Sequence, residues 1–495
     1  MPEGASTPAR HLHRSAQRVQ RNRPSTASFD VLARALSDIP TINKSIDGQP
    51  YSTLNLLSRR CDLCTLTEHG WAAANKRPLT AFRTGVDVMI RLKSKRARTA
   101  ALAATMFALG TVASQAQSVQ QVDIALLAPF SGPWAEQGEL MRIGAVMAVE
   151  DINNKGGIKS LGGAKLNLIV ADAGGSVETA TNAAQRLFSG QRNLSGYICC
   201  WLSSFSLAAS EIGERQQVPM LTFSYGDQLV RRGYKYIFRD GSGADMQVRA
   251  GIKLLKSQAE AAGRKIATAA LVGDNTAATV SYFKSLEEVL PQNQVKIVVN
   301  KVWTPPLTDA IPVALSVRDA NPDVIFLGAT TFDDSVGIVR AFNAAKIKKL
   351  TLGNGAQFVT PEFLKALGPQ QVDGLMTTQG SGITKEPYAV DFLKRFRERT
   401  KIDWTIHNTT SVYAQTWILK EALEKAASPD PKKVRDALAS LHITTPPPTA
   451  FDGAAIKFDE AGQNVNAPTF IVQWQKGLPV LVAPADFATA PLQLP

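Results

Sequence analysis

From Gln121 onward, short unbroken apolar runs alternate with stretches whose apolar residues recur every three or four positions. Runs of four to eight apolar residues bounded by Gly, Pro or Asn read as buried strands, and the longer periodic stretches read as amphipathic helices. The pattern predicts strands over 122–128, 165–171, 194–200, 219–223, 267–272, 295–302, 324–327 and 350–353. Between them it predicts helices near 138–153, 177–188, 206–215, 247–262, 280–290, 308–319, 335–345 and 361–367. Continuous apolar strands separated by helices indicate parallel sheets covered on both faces, so the expected class is α/β, doubly wound.

The alternation runs twice, from 121 to about 240 and from about 242 to 375, each stretch long enough for its own sheet. Helices at 387–399, 407–426 and 431–440 and strand-like segments at 454–458 and 469–474 must then complete the two units. The expectation is two Rossmann-like lobes joined by multiple crossover hinge strands. The N-terminal lobe would take 121–241 plus 376–451, the C-terminal lobe 242–375 plus 452–482, and residues 483–495 would form a tail. Two lobes with several crossings make a hinged cleft.

Charge divides the chain differently. The net charge is +13, but residues 1–116 hold 17 Lys and Arg against 7 Asp and Glu, leaving 38 against 35 for the rest. The folded part is nearly balanced, and no nucleic-acid partner is expected. Part of the basic excess is the cluster Arg91, Lys93, Lys95, Arg96 and Arg98, which precedes the apolar stretch Ala100 to Val112. That stretch is too short to span a bilayer comfortably, and Ser114 and Ala116 supply small residues before Gln117. Residues 89–116 therefore read as a secretory signal peptide, which predicts export to the periplasm and no membrane anchor in the mature protein. A signal should begin the protein, so Met89 is the expected start and residues 1–88 a doubtful extension.

Cys61 and Cys64 form a CxxC in that extension without a second pair at zinc spacing, a weak signal for metal or redox chemistry. The mature part has only Cys199 and Cys200, read either as buried thiols or as a vicinal disulfide in an oxidising compartment. Its two histidines, His407 and His442, are not spaced as metal ligands, and it has no GxSxG elbow, P-loop or complete GxGxxG. No catalytic residue, metal or cofactor is expected.

Binding chemistry is richer. The first strand ends in a Gly/Pro turn, Pro129-Phe130-Ser131-Gly132-Pro133-Trp134, at the edge where open α/β sheets take ligands. The third predicted strand leads through Trp201 and Leu202 to Ser203 and Ser204, where hydroxyls and free N–H groups at a helix start suit a carboxylate. Plain helix capping would use the same residues. The fourth ends in Thr222-Phe223-Ser224-Tyr225-Gly226. In the second half Asn275, Thr330, Phe332 and Gln357 follow strands at the corresponding edges.

These features together resemble the periplasmic substrate-binding proteins of ABC importers, and within them the leucine/isoleucine/valine-binding protein family with its type I binding fold. The resemblance is carried by the turn from Pro129 to Pro133 with Gly138, by Ala148 to Ile158, Asp172, Ser203-Ser204, Arg232-Gly233-Tyr234, Phe451-Asp452-Gly453 and Phe458-Asp459 with Gly462. It implies a monomer that binds a small molecule by hinge closure and presents it to membrane permease subunits. It also implies carboxylate anchoring at Ser203 and at Ser224, Tyr225 and Gly226. The family's ammonium-binding acidic residue falls near Gly355, in GNGAQF, where there is no carboxylate. An α-ammonium buried without an anion carries a heavy desolvation cost, so the expected ligand is a small organic anion or amide. It would be held by Ser203, Ser204 and Ser224 and packed against Trp134, Tyr225 or Phe332. The alternatives are a soluble periplasmic sensor and an enzyme on Rossmann lobes; the missing fingerprints count against the latter.

Overall fold

The computed structural model describes residues 119–190 and 193–495. The expected signal peptide, the doubtful extension and the Cys61/Cys64 pair lie outside the described residues.

The eight expected strands are present, and they form two parallel sheets with one winding. In the first sheet β1 (Gln121–Ala128), β2 (Lys165–Asp172), β3 (Gly196–Cys199), β4 (Met220–Thr222) and β5 (Ile237–Arg239) lie in the order β2-β1-β3-β4-β5. In the second, β6 (Thr268–Asp274), β7 (Lys296–Trp303), β8 (Val324–Gly328), β9 (Leu350–Asn354) and β10 (Met376–Gln379) repeat it as β7-β6-β8-β9-β10. Burial follows position. The interior strands β3 and β8 are buried along their whole length, whereas the edge strands β2 and β7 each bury a single residue fully. Two antiparallel strands, β13 (Phe470–Gln475) and β14 (Leu478–Ala483), extend the second sheet beyond β10. A small ribbon pairs β11 (His442–Ile443) with β12 (Ile456–Lys457).

The lobes differ from the expected division in two places. Met376–Gln379, expected in the N-terminal lobe, pairs with β9 in the second sheet, so the chain crosses back only after Gln379. Residues 456–464, expected in the C-terminal lobe, stay beside the first sheet: Phe458 packs edge-on against Phe238, and Gln463 bridges to Arg239. The expected tail does not hang free. Gln493 exchanges hydrogen bonds with Gln473 on β13, and Leu492 and Leu494 pack on the core of the second sheet.

The first lobe is clamped by its returning chain. Helix Ala135–Asn154 crosses helix His407–Ala426 so closely that Gly144 faces the Thr409 backbone, and any larger residue at 144 would strike it. Three strands of chain pass between the lobes. The first follows Arg239, the second runs through Gly380 to Gly382, and the third follows Asn464. Gly241 and Gly380 pass with the room of a Cβ between them, and the Gly382 N–H donates to the Phe451 carbonyl at 3.0 Å.

Candidate functional site

Both sheets point the carboxyl ends of their strands at the same space, the ligand position of open α/β sheets. A cavity there, about 360 Å³ when the space open to solvent is counted, takes its walls from both lobes and from the returning chain.

The first wall begins where β3 ends. Cys199 and Cys200 are fully buried with their sulfurs joined as a vicinal pair, and Trp201 follows at φ 76°, a conformation uncommon for a bulky residue. That turn brings the Trp201 ring to the cavity and starts helix Ser203–Gln216 at its edge. The helix has Leu202 at its cap position and no side-chain cap, so its first N–H groups have no intrahelical acceptor. Ser203, 1% exposed, lines the cavity, and its Oγ accepts the Gly226 N–H at 3.0 Å. Among the described residues its own hydroxyl hydrogen has no acceptor, and it can donate to a ligand.

Beyond β4, Phe223 and Tyr225 add aromatic surface. Their loop is held from behind by Arg239. Buried at the end of β5, its guanidinium donates to the carbonyls of Tyr225 at 3.2 Å and Gly226 at 3.1 Å and pairs with Asp227 at 3.2 Å.

The second lobe contributes Ala278, Thr330, Asn354, Gly355 and Gln357. Asp274, fully buried at the end of β6, fixes this wall. Its two oxygens accept from the N–H and hydroxyl of Thr276 at 3.0 and 2.7 Å, and from the N–H and hydroxyl of Thr330 at 2.6 and 2.7 Å. Asn354 donates to Gln247 at 2.7 Å. Gln357 donates to the carbonyls of Ala329 and Asn354, which leaves its Oε1 as an acceptor.

The last wall is His407, the first residue of its helix, 1% exposed. Tyr225 Oη lies 3.0 Å from its Nδ1, which also accepts the Gly380 N–H at 3.4 Å. A ring nitrogen that accepts is unprotonated, so the hydrogen bonds assign the proton of the neutral ring to Nε2. Burial pushes the imidazole down to about 3, which keeps it neutral at any ordinary pH. Burial likewise raises the Tyr225 phenol, which stays protonated.

Of the nine residues expected at the site, Ser203, Tyr225, Thr330 and Gln357 line this cavity. Trp134 and Phe332 line an adjoining depression that shares Thr330 and Gln357 with it. There the Trp134 indole N–H reaches across to the Thr330 carbonyl at 3.1 Å, and its ring stands edge-on to Phe205. The other three are placed elsewhere. Ser224 is buried but turned away, donating to the Trp201 carbonyl at 2.9 Å and bonded to Ser206 at 2.7 Å; it braces the Trp201 turn. Ser204 is half-buried and does not reach the cavity wall, and Asn275 is exposed and donates to Thr304.

Sequence reasoning passed over His407, Trp201, Phe223 and Asn354 as site residues. Trp201 and Phe223 stand one residue beyond a predicted strand or at its end, a signal that could have found them. His407 gives no such signal, because its helix belongs to neither strand-helix series.

Among the described residues, no group of three or more His, Cys, Asp or Glu could hold a metal ion, and no helix is long and apolar enough to cross a membrane. Residues 121–478 match the family described as periplasmic binding protein. The chain is 27% identical over 406 residues to Leu/Ile/Val-binding protein homolog 7 of Brucella abortus, covering 79% of this chain and 99% of that one. The fold is similar to that of a leucine binding protein, LivK, from Thermotoga maritima, with a TM-score of 0.64 at 20% identity over 73% of this chain and 98% of that one. It is also similar to an ABC transporter solute binding protein from R. palustris in complex with benzoate, with a TM-score of 0.62 at 17% identity over 76% of this chain and 98% of that one.

Proposed function

The chain belongs to the periplasmic binding protein family, and from that premise we propose that it binds a small organic solute outside the cytoplasm and delivers it to the membrane subunits of an ABC importer. The solute is amino-acid-like, an amide or a carboxylic acid, and no reaction is performed on it. The observation that carries this reading is the cavity, whose polar groups come from opposite lobes: Ser203 and Tyr225 from one, Thr330 and Gln357 from the other. A ligand touching both sets gains its full contacts only when the lobes are together, so binding and closure are coupled. The relatives point the same way, since the Brucella protein is named for leucine, isoleucine and valine and the R. palustris protein holds benzoate.

The test is calorimetry on the chain from Gln117 with a panel of amino acids, amides and organic acids, followed by small-angle scattering with and without the solute that binds. Binding accompanied by compaction is expected, and Ser203→Ala should weaken it by about tenfold, the worth of one hydrogen bond to a charged group. Release of a chemically altered solute would overturn the reading.

A further inference from the structure

Resting on the solute-binding reading, we infer that the cavity is built for a monocarboxylate with an uncharged, apolar body and no ammonium group. Three observations lead there. First, no Asp, Glu, Lys or Arg side chain lines the cavity, so every group that meets the ligand is neutral.

Second, the neutral groups are arranged for an anion. Three helices begin at the cavity wall, at Ser203, Ala277 and His407; the first two have no side-chain cap, whereas the His407 N–H is taken by Gln379 Oε1 at 3.1 Å. The helix Phe332–Ala344, which starts beside the adjoining depression, is by contrast capped by Thr331. Uncapped helix starts present free N–H groups and the positive end of the helix dipole. The free hydroxyl hydrogen of buried Ser203 is a donor at the same wall, and so is the Nε2–H of His407, which has Tyr225 Oη at 3.4 Å. A carboxylate satisfies such donors; a hydrocarbon end would leave them unpaired in a buried site.

Third, a cation finds no free carboxylate on this cavity's wall; Glu136 and Glu362 line only the adjoining depression. A carboxylate offers about four acceptor positions, and Asp274, at the end of β6 behind Thr330, already accepts four hydrogen bonds. Asp227 is spent on Arg239 and on the Asp245 N–H, and Asp240 on Gln415. Nor can an acidic side chain enter at position 355. Gly355 has φ 121° and ψ 166°, a region essentially confined to glycine, and a Cβ there would run into the Gln357 amide. The loop is therefore committed to a neutral lining by its backbone. With Trp201, Phe223 and Tyr225 supplying aromatic surface, the body of the ligand is a ring or a branched chain.

The experiment compares matched pairs by calorimetry: 3-phenylpropanoate against phenylalanine, 4-methylpentanoate against leucine, and benzoate against benzamide. The acid of at least one pair should bind about 100-fold more tightly than its amino acid or amide, and Ser203→Ala and His407→Gln should each reduce that preference. Amino acids that bind as well as their desamino partners would overturn the exclusion of ammonium, and benzamide equal to benzoate would overturn the anion. If none of the acids binds but another solute closes the lobes, the proposed class is wrong and the solute-binding reading stands. If no solute of a broad panel binds or compacts the chain, the underlying reading fails.

Discussion

Asp240→Asn should make the protein more stable at neutral pH while leaving it almost unchanged near pH 4. Asp240 follows Arg239 on the first crossing between the lobes, and Asp452 follows Phe451, whose carbonyl accepts the N–H of Gly382 on the second. Both carboxyls are nearly inaccessible, at 2% and 3% exposure. Asp240 accepts from Gln415 Nε2 at 2.6 Å, and the charges facing it are those of Asp452 and Arg239. Burial pushes the Asp240 carboxyl up from its usual 3.8 to about 7, against the smaller pull of Gln415 and Arg239. Burial and repulsion from Asp240 raise Asp452 as well.

A carboxyl raised in the folded state holds its proton more tightly there than in the unfolded chain, so its contribution is intact below the unfolded value and is lost as pH rises through the folded one. For Asp240 that window runs from about pH 4 to about pH 7. A rise of about three pH units, at about 1.4 kcal/mol each, amounts to roughly 4 kcal/mol at the upper end. The amide of the Asp240→Asn variant keeps an oxygen for Gln415 and cannot ionise, so it mimics the protonated acid at every pH. Asp172, Asp323 and Glu424 have the opposite sign. Hydrogen bonds hold them below their usual values against the contrary pull of burial, and their contribution is lost as pH falls. They are common to both proteins and cancel in the difference. Urea unfolding of both chains at intervals from pH 4 to 7.5 measures it. A difference that stays constant across that range, or a variant less stable at pH 7.5, would falsify the assignment of the buried proton to this hinge.

Other perturbations address separate links. Trp134→Phe keeps the edge contact with Phe205 and removes the hydrogen bond to Thr330 on the opposite lobe. Losing roughly 0.5–1.5 kcal/mol of closed-state contact should raise the ligand off-rate by about three- to tenfold with little change in on-rate, read by stopped-flow fluorescence. Gly144→Ala forces apart the helices Ala135–Asn154 and His407–Ala426 at the Thr409 backbone and should cost about 1–3 kcal/mol in thermal unfolding. Arg239→Met strands Asp227 and frees the carbonyls of Tyr225 and Gly226. A loss of about 3–5 kcal/mol in denaturant unfolding is expected, and a variant of unchanged midpoint would remove Arg239 as the support of that loop.

The α/β class and most of both sheets were legible because a strand buried on both faces has to be a continuous apolar run, as Ile124 to Ala128 and Val324 to Leu327 are. The misplaced lobe boundary has an equally physical origin. β10 reads Met-Thr-Thr-Gln and is nevertheless buried throughout, because Thr377 bonds to the carbonyls of Gly353 and Gly355 and Thr378 to Gln247. A strand that satisfies buried hydroxyls within the sheet carries no hydrophobic signature. The crossing back to the first lobe was therefore placed before β10 instead of after it.

The same limit explains what happened at the site. Ser203, Tyr225, Thr330 and Gln357 follow strand ends, and strand ends in a doubly wound fold converge, so pattern alone brought them together. Ser224 obeys the same rule and still faces inward, because a hydroxyl next to the Trp201 turn finds a backbone carbonyl closer than any ligand. Trp134 reaches the opposite lobe by its N–H, so its indole serves the joint between lobes more directly than the innermost cavity. His407 reverses the case. Its helix returns to the first lobe from the second crossing, and only that topology sets an imidazole beside Tyr225, 182 residues away in sequence. The cavity's chemistry thus has two sources. Strand ends supply the hydroxyls and amides, and the crossover supplies the buried neutral ring, so a substitution in the crossing at Gly380 should disturb ligand affinity through His407 while leaving both sheets intact.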